Sequence, residues 1–339
     1  MIRPIATLKG PADRIMAVYT EISDDELQVF IAEYDVGTVV SCKGIAEGVE
    51  NSNYLLQTTT GPFILTLYER RVNPADLPFF LGLMEHLSHS GVRCPVPIKD
   101  RKGEALKHLC GKPAAMVSFL QGMWPRRTQP WQCGALGKEL ATLHLAGMSY
   151  DVRRDNALSV AGWRHLFDRV GDAAEQVETG LHASLGGEID FLEARWPALM
   201  PAAALPAGVI HADLFPDNVF FLDQECSGLI DFYFACTDFL AYDVAICMNA
   251  WCFEPTGEFN ITKAHRLLSG YQAHRPLEQR EQAAFPLLAR GASMRFLLTR
   301  LYDWVNTPPG AMVKPKDPRE YLHKLNFHRG VSSIAAYGL

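Results

Sequence analysis

The sequence contains no Cys-x-x-Cys pair and no His-Glu-x-x-His or comparable metal spacing, although it carries eight cysteines and eleven histidines. Zinc-ribbon and dithiol redox sites therefore have no signature here. Most of the cysteines (Cys42, Cys94, Cys110, Cys133, Cys226, Cys236, Cys247 and Cys252) lie in apolar surroundings, as reduced core thiols of a cytoplasmic protein do. No apolar run approaches the length of a membrane span, and the N-terminus lacks the charged-then-hydrophobic order of a signal peptide. Positive charge is not in excess either. The net charge of −6 gives no support to nucleic-acid binding. Repeats and low-complexity tracts are absent.

The most pointed absence is local. From Trp196 through Thr262 there is no lysine or arginine, yet nine acids fall there: Asp213, Asp217, Asp223, Glu225, Asp231, Asp238, Asp243, Glu254 and Glu258. Carboxylates set in apolar sequence such as Leu229-Ile-Asp-Phe-Tyr-Phe234, with no internal counter-charge, call for an external cation. Within this stretch, His211-Ala-Asp213-Leu-Phe-Pro-Asp217-Asn218 reads as a loop. The apolar runs Val219–Leu222 and Ser227–Ile230, parted by Asp223-Gln224-Glu225, read as a hairpin. Centred on Gln224 and Glu225, that hairpin sets Asn218 opposite Asp231. Two oxygen ligands at its open end suit a hard cation such as Mg²⁺. Asp213, just before it, is free to accept a proton from a hydroxyl. These are the minimal parts of a kinase that phosphorylates an alcohol.

At 339 residues, 48% hydrophobic and 21% charged, the chain has ordinary globular composition and length for two structural units. Residues 1–15, broken by Pro4, Gly10 and Pro11, are expected to form an extension, with Met16 an alternative start. Ser23-Asp24-Asp25-Glu26 is a capping box before a helix to about Tyr34. Strand-like segments follow at 38–45, 53–58 and 63–68, then a helix over 76–89, then strand-like runs at 97–98, 105–109 and 114–120. These predict a five-stranded antiparallel sheet with a helix. After Gly122 the period becomes helical, near 130–147, 162–178, 187–198, 239–252, 260–273, 277–305 and 317–335. The reading is an α+β chain of two lobes: a β-rich N-terminal lobe over 16–121 and a larger, mainly helical C-terminal lobe over 122–339.

The chain resembles the aminoglycoside phosphotransferase and choline kinase superfamily, which shares the protein-kinase fold, and within it the bacterial type II homoserine kinases. The motifs that carry the likeness are Gly44-Ile-Ala-Glu-Gly48-Val-Glu-Asn-Ser-Asn53, Phe63-Ile-Leu-Thr-Leu-Tyr-Glu69, Asp76-Leu-Pro-Phe-Phe80, the loop 211–218, and Met294-Arg-Phe-Leu-Leu-Thr-Arg300-Leu-Tyr-Asp303. The resemblance implies ATP as donor, Mg²⁺ as metal and L-homoserine as acceptor, giving O-phospho-L-homoserine for threonine biosynthesis. By resemblance, Asp213 is the catalytic base, Asn218 and Asp231 are metal ligands, Asp243 is the buried acid bracing the loop, and His211 orients it. The Gly44–Gly48 loop would cover the nucleotide, and Asn51 would reach the ligands from the small lobe. Ser118 and Leu120 would lie at an adenine-binding hinge.

One departure stands out. Kinases of this fold usually carry a third-strand lysine for the phosphates, paired with a helix glutamate, and Thr66 stands at that place. Glu85 is the candidate glutamate without its partner, and Lys43, Arg70 or Arg71 are candidate replacements. For the acceptor, Arg295, Arg300 and Asp303 make the stretch 290–304 more polar than a core helix requires. An arginine there suits a carboxylate; an exposed face or an intrahelical Arg300–Asp303 pair is the plainer alternative. Other alcohols (choline, methylthioribose, an aminoglycoside) or a nucleotide-binding pseudokinase remain as alternatives at this point.

Overall fold

The reciprocal cap read from sequence is present: the Ser23 hydroxyl accepts from the Glu26 amide while the Glu26 carboxylate accepts from Ser23 N–H, and helix α1 runs Asp24–Ile31. The computed structural model describes residues 20–45, 51–69, 73–196, 204–307 and 314–339. The expected extension, Met16, Gly48, Arg70 and Arg71 lie outside the described residues. Strands β1 (Val39–Gly44), β2 (Asn51–Thr58), β3 (Gly61–Tyr68), β4 (Leu106–Leu109) and β5 (Lys112–Ser118) form one antiparallel sheet in the order β1-β2-β3-β5-β4. The expected strand at 97–98 is only a bridge from Pro97 to Val117.

Alternation gives the sheet two faces. Tyr54, Leu56, Leu65, Leu67 and Met116 pack on Leu27, Phe30 and Ile31 of α1 as a small outer core. Asn51, Asn53, Ile64 and Thr66 lie on the other face and line a cleft. Helix α2 (Leu77–His89) packs into the larger core, with Tyr68, Val117 and the helices that follow.

Those helices are α3 (Pro130–Gly147), α4 (Val160–Val170), α5 (Leu181–Arg195), α6 (Leu240–Trp251), α7 (Ile261–Gln272), α8 (Gln279–Asn306) and α9 (Arg319–Arg329). Between them, β6 (Ala207–Ile210) pairs with β9 (Cys236–Phe239), and β7 (Val219–Leu222) with β8 (Glu225–Leu229). The helix expected over 162–178 breaks at Gly171 and continues as a 3-10 turn to Gln176. The closest helix crossing is α3 on α7. A Cβ on Gly137 would stand 2.2 Å from the Leu267 carbonyl, and one on Gly270 would stand 2.2 Å from that of Gly134. Glycine lets these backbones touch, which brings α3 under the catalytic loop.

A buried polar cluster ties α6, α8 and α9 together. His328 Nε2 lies 2.9 Å from Asn249 Oδ1, and its Nδ1 lies 2.7 Å from the Tyr337 hydroxyl. The Ser293 hydroxyl donates to the same Asn249 oxygen, and Asn249 Nδ2 donates to the Ala245 and Ala289 carbonyls. Every role is satisfied by a neutral imidazole protonated on Nε2. Burial pushes His328 down to about 3. Between pH 6.5 and about 3, then, the unfolded chain binds a proton that the folded chain refuses. Stability should be full above the ordinary histidine pKa and fall as pH drops, by about 1.4 kcal/mol per pH unit for this one group. Urea unfolding across that window should show a shallower slope for His328→Gln than for wild type; equal slopes would mean the imidazole already carries charge in the fold.

Candidate active site

After Ile210 ends β6, the chain must turn sharply to present Asp213. Ala212 does so at φ +64°, a left-handed conformation costing an L-residue roughly 1–2 kcal/mol. Both of its peptide groups are tied. Ala212 N–H donates to Asp243 Oδ1 (2.9 Å), and its carbonyl accepts from Arg295 Nη1 (2.7 Å). His211 N–H donates to Asp243 Oδ2 (2.8 Å), and His144 Nε2 reaches that oxygen at 3.1 Å, itself backed by the Tyr271 hydroxyl on Nδ1. Burial alone would push the Asp243 carboxyl up, but hydrogen bonds from His144 and His211 hold it below the usual carboxylate range. The carboxylate thus stays ionised inside the core. Asp243 sits where the sequence reading placed it.

The His211 ring orients the loop. Its Nδ1 accepts from Asp213 N–H (3.3 Å) and its Nε2 donates to the Ile230 carbonyl (3.0 Å). Burial pushes it down to about 4, so it is neutral at physiological pH. Trp251 Nε1 holds the next carbonyl, Leu214.

Asp213 is half-buried in the cleft floor. Burial and the neighbouring Asp231 push its carboxyl well up, partly offset by Arg295 and Lys316. Asn218 Nδ2 donates to the Asp213 carbonyl (2.8 Å) and to its carboxylate (3.2 Å), which leaves Asn218 Oδ1 as an acceptor. The hairpin differs from the expected register. Its turn is Asp223–Gln224, both at positive φ, and a bulge between Phe220 and Phe221 shifts the pairing. Asn218 therefore faces Ile230, whose amide donates to its carbonyl, and Asp231 comes one residue later at φ +65°. Both side chains still line the cleft. An amide oxygen and a carboxylate are hard ligands, and two such groups fit Mg²⁺, which keeps its other positions for phosphate and water oxygens.

The cleft has a volume of about 1270 Å³ between the sheet and the large lobe. Its small-lobe wall, from Ile45 and Asn51 to Leu120, has no charged side chain among the described residues. Thr66 lines the cleft and donates to Asn53 Oδ1 across the β2–β3 pair (2.8 Å), fixing that amide in the wall. Beside it the Tyr68 and Tyr233 hydroxyls meet at 3.0 Å. Gly44 ends β1, exposed, and Lys43 is exposed outside the cleft lining. Ser118 and Leu120 line the cleft, although the Ser118 amide and hydroxyl are both bonded to Val96. Gly122 follows at φ +135°, where a Cβ would strike the Ser227 hydroxyl at 2.3 Å. Glu85 does not serve the cleft. It pairs with Lys99 on the surface, because its position on α2 faces the 97–100 segment.

The opposite wall holds all three residues expected at the acceptor, Arg295, Arg300 and Asp303. Arg295, 1% exposed, holds the Ala212 carbonyl and stacks 4.6 Å from the Phe296 ring, so it supports the loop. Arg300 pairs with Glu320 at 2.6 Å, and neither an exposed face nor Asp303 claims it. Partial burial would raise Glu320, but Lys324 and Arg300 hold it down at about 2. Asp303 lines the cleft. Lys314 and Lys316, which the sequence reading missed, also line it. They sit in the non-helical stretch just before α9, where no periodicity marks them.

This geometry matches known proteins. The model of the phosphotransferase enzyme family matches residues 41–277. The homoserine kinase of Paramagnetospirillum magneticum is 62% identical over 96% of this chain and 100% of its own length. Among solved structures, an amicoumacin kinase in complex with AMP-PNP, Ca²⁺ and Ami superposes with TM-score 0.69 at 14% identity, covering 92% of this chain and 95% of that one. A microcompartment-associated aminopropanol kinase gives 0.68 at 17%, covering 94% and 99%. Identities that low speak for the fold alone, whereas the sequence match spans almost the whole chain. The chain belongs to the phosphotransferase enzyme family and, within it, to the homoserine kinases.

Proposed function

We propose that the chain transfers the γ-phosphoryl group of ATP to the side-chain hydroxyl of L-homoserine. The observation that carries the mechanism is Asp213, held on a strained loop by Asp243 and set beside Asn218 and Asp231. A hydroxyl resting against Asp213 loses its proton to that carboxylate as its oxygen bonds to phosphorus. The bond from phosphorus to the β-phosphate oxygen breaks, and its electron pair leaves with ADP. Burial makes Asp213 a stronger base than an ordinary carboxylate, which suits proton acceptance in the transition state. Asn218 Nδ2 holds the Asp213 carboxylate in one orientation. Mg²⁺ held by Asn218 and Asp231 would supply the positive charge that phosphoryl transfer requires. Asn51 and Asn53 offer neutral donors to the phosphates from the small lobe, and the backbone of Phe119 and Leu120 is left to meet an adenine edge. The pseudokinase reading raised by Thr66 is not favoured, because the acid, the amide and the second acid are all in place. All eight cysteines are unpaired, which suits a reducing cytoplasm.

In a coupled ADP-release assay with homoserine, Asp213→Ala should lose roughly two to four orders of magnitude in kcat while ATP affinity changes little. Near wild-type turnover would remove Asp213 from the chemistry. Asp231→Asn should raise the Mg²⁺ concentration needed for half-maximal rate, and an unchanged Mg²⁺ titration would place the metal elsewhere. For Arg295→Met the loop account expects a fall in kcat with the KM for homoserine nearly constant. A raised KM at constant kcat would instead make that guanidinium a substrate ligand.

A further inference from the structure

An amino-acid acceptor brings a carboxylate into a cleft whose floor already holds Asp213, Asp217 and Asp231. Such a group needs a cation of its own. Among the described residues five cations line the cleft: Arg126, Arg295, Arg300, Lys314 and Lys316. Arg295, almost fully buried, gives Nη1 to the Ala212 carbonyl, and Arg300 is paired with Glu320. Arg126, Lys314 and Lys316 line the cleft with no hydrogen bond or ion pair from their side chains among the described residues. Of these three, Lys316 is the one seated on the catalytic loop. Its Nζ lies 5.2 Å from the centroid of the Phe215 ring, two residues past Asp213. Phe215 in turn meets Phe296 edge-on at 5.0 Å, so the ammonium caps an apolar shelf beside the catalytic carboxylate. The shelf suits the methylenes of a short aliphatic alcohol. The lysine, a flexible point charge steered by the ring beneath it, suits an anion at the far end of that chain.

We propose that Lys316 binds the α-carboxylate of the acceptor and so selects an amino acid over a plain amino alcohol. This rests on the homoserine kinase reading. The test compares homoserine with 3-aminopropanol, which keeps the hydroxyl and the amine but lacks the carboxylate; it is read as an alternative substrate or as a competitive inhibitor. Lys316→Met should lower kcat/KM for homoserine about ten- to hundredfold, the range for a hydrogen bond between charged groups. The 3-aminopropanol constant and the KM for ATP should stay at their wild-type values, and Lys316→Arg should recover part of the homoserine loss. Equal losses with both acceptors, or a raised KM for ATP, would overturn the assignment, since the lysine would then serve the phosphates or the loop. Unchanged homoserine kinetics in Lys316→Met would overturn it equally. A wild-type enzyme that ignores homoserine yet phosphorylates another alcohol would sink the homoserine reading itself, an outcome visible before any variant is made.

Discussion

The buried Asp243 carboxylate is the contact on which the site depends. It stands in the first turn of α6, accepts from two successive loop amides, and is backed by His144 of α3. A carboxylate with no access to water is tolerable only when its oxygens are fully bonded. The loop supplies those bonds, and in return is forced through the left-handed turn at Ala212. Removing the acid would release that turn and leave two amides and the His144 Nε2 without partners. Asp213 therefore owes its position less to its own contacts than to a charge that the core cannot otherwise hold.

The cleft divides its charges unevenly. The sheet side is neutral among the described residues, with Thr66 and Asn53 bonded to each other in the wall. The large-lobe side carries the acids and the cations. In the mechanism proposed above, metal on Asn218 and Asp231 meets the phosphate charge from the large-lobe side, and amide dipoles meet it from the sheet side.

Much of this was legible in the sequence wherever information is local. The Ser23–Glu26 cap, the strand-like run in β2 and the contiguous loop from His211 to Asn218 operate over a few residues and are present, whereas helix ends moved, as at Gly171 and Leu181. The hairpin register was not legible. Asp223 and Gln224 adopt positive φ without glycine, and the bulge after Phe220 has no composition of its own. Partners far along the chain were equally hidden. Arg295 lines the cleft but also bonds a carbonyl 83 residues away, and Arg300 meets Glu320 rather than nearby Asp303. Glu85 was correctly helical, but which way a helix face points depends on tertiary packing. Lys316 lies between helices, outside any periodic pattern.

The two walls around Asp213 differ in how freely they can be rewritten. Loop 211–218 is hydrogen-bonded to α6 and α8, and through Asp243 to His144 of α3, so a change there spreads through the core. The segment 314–317 is mostly exposed, and its two lysines hold no buried bond. A lineage can therefore exchange side chains on that rim one at a time without unsettling the phosphoryl-transfer apparatus. On this scaffold the chemistry is inherited as a block, whereas the choice of alcohol can drift by single mutations.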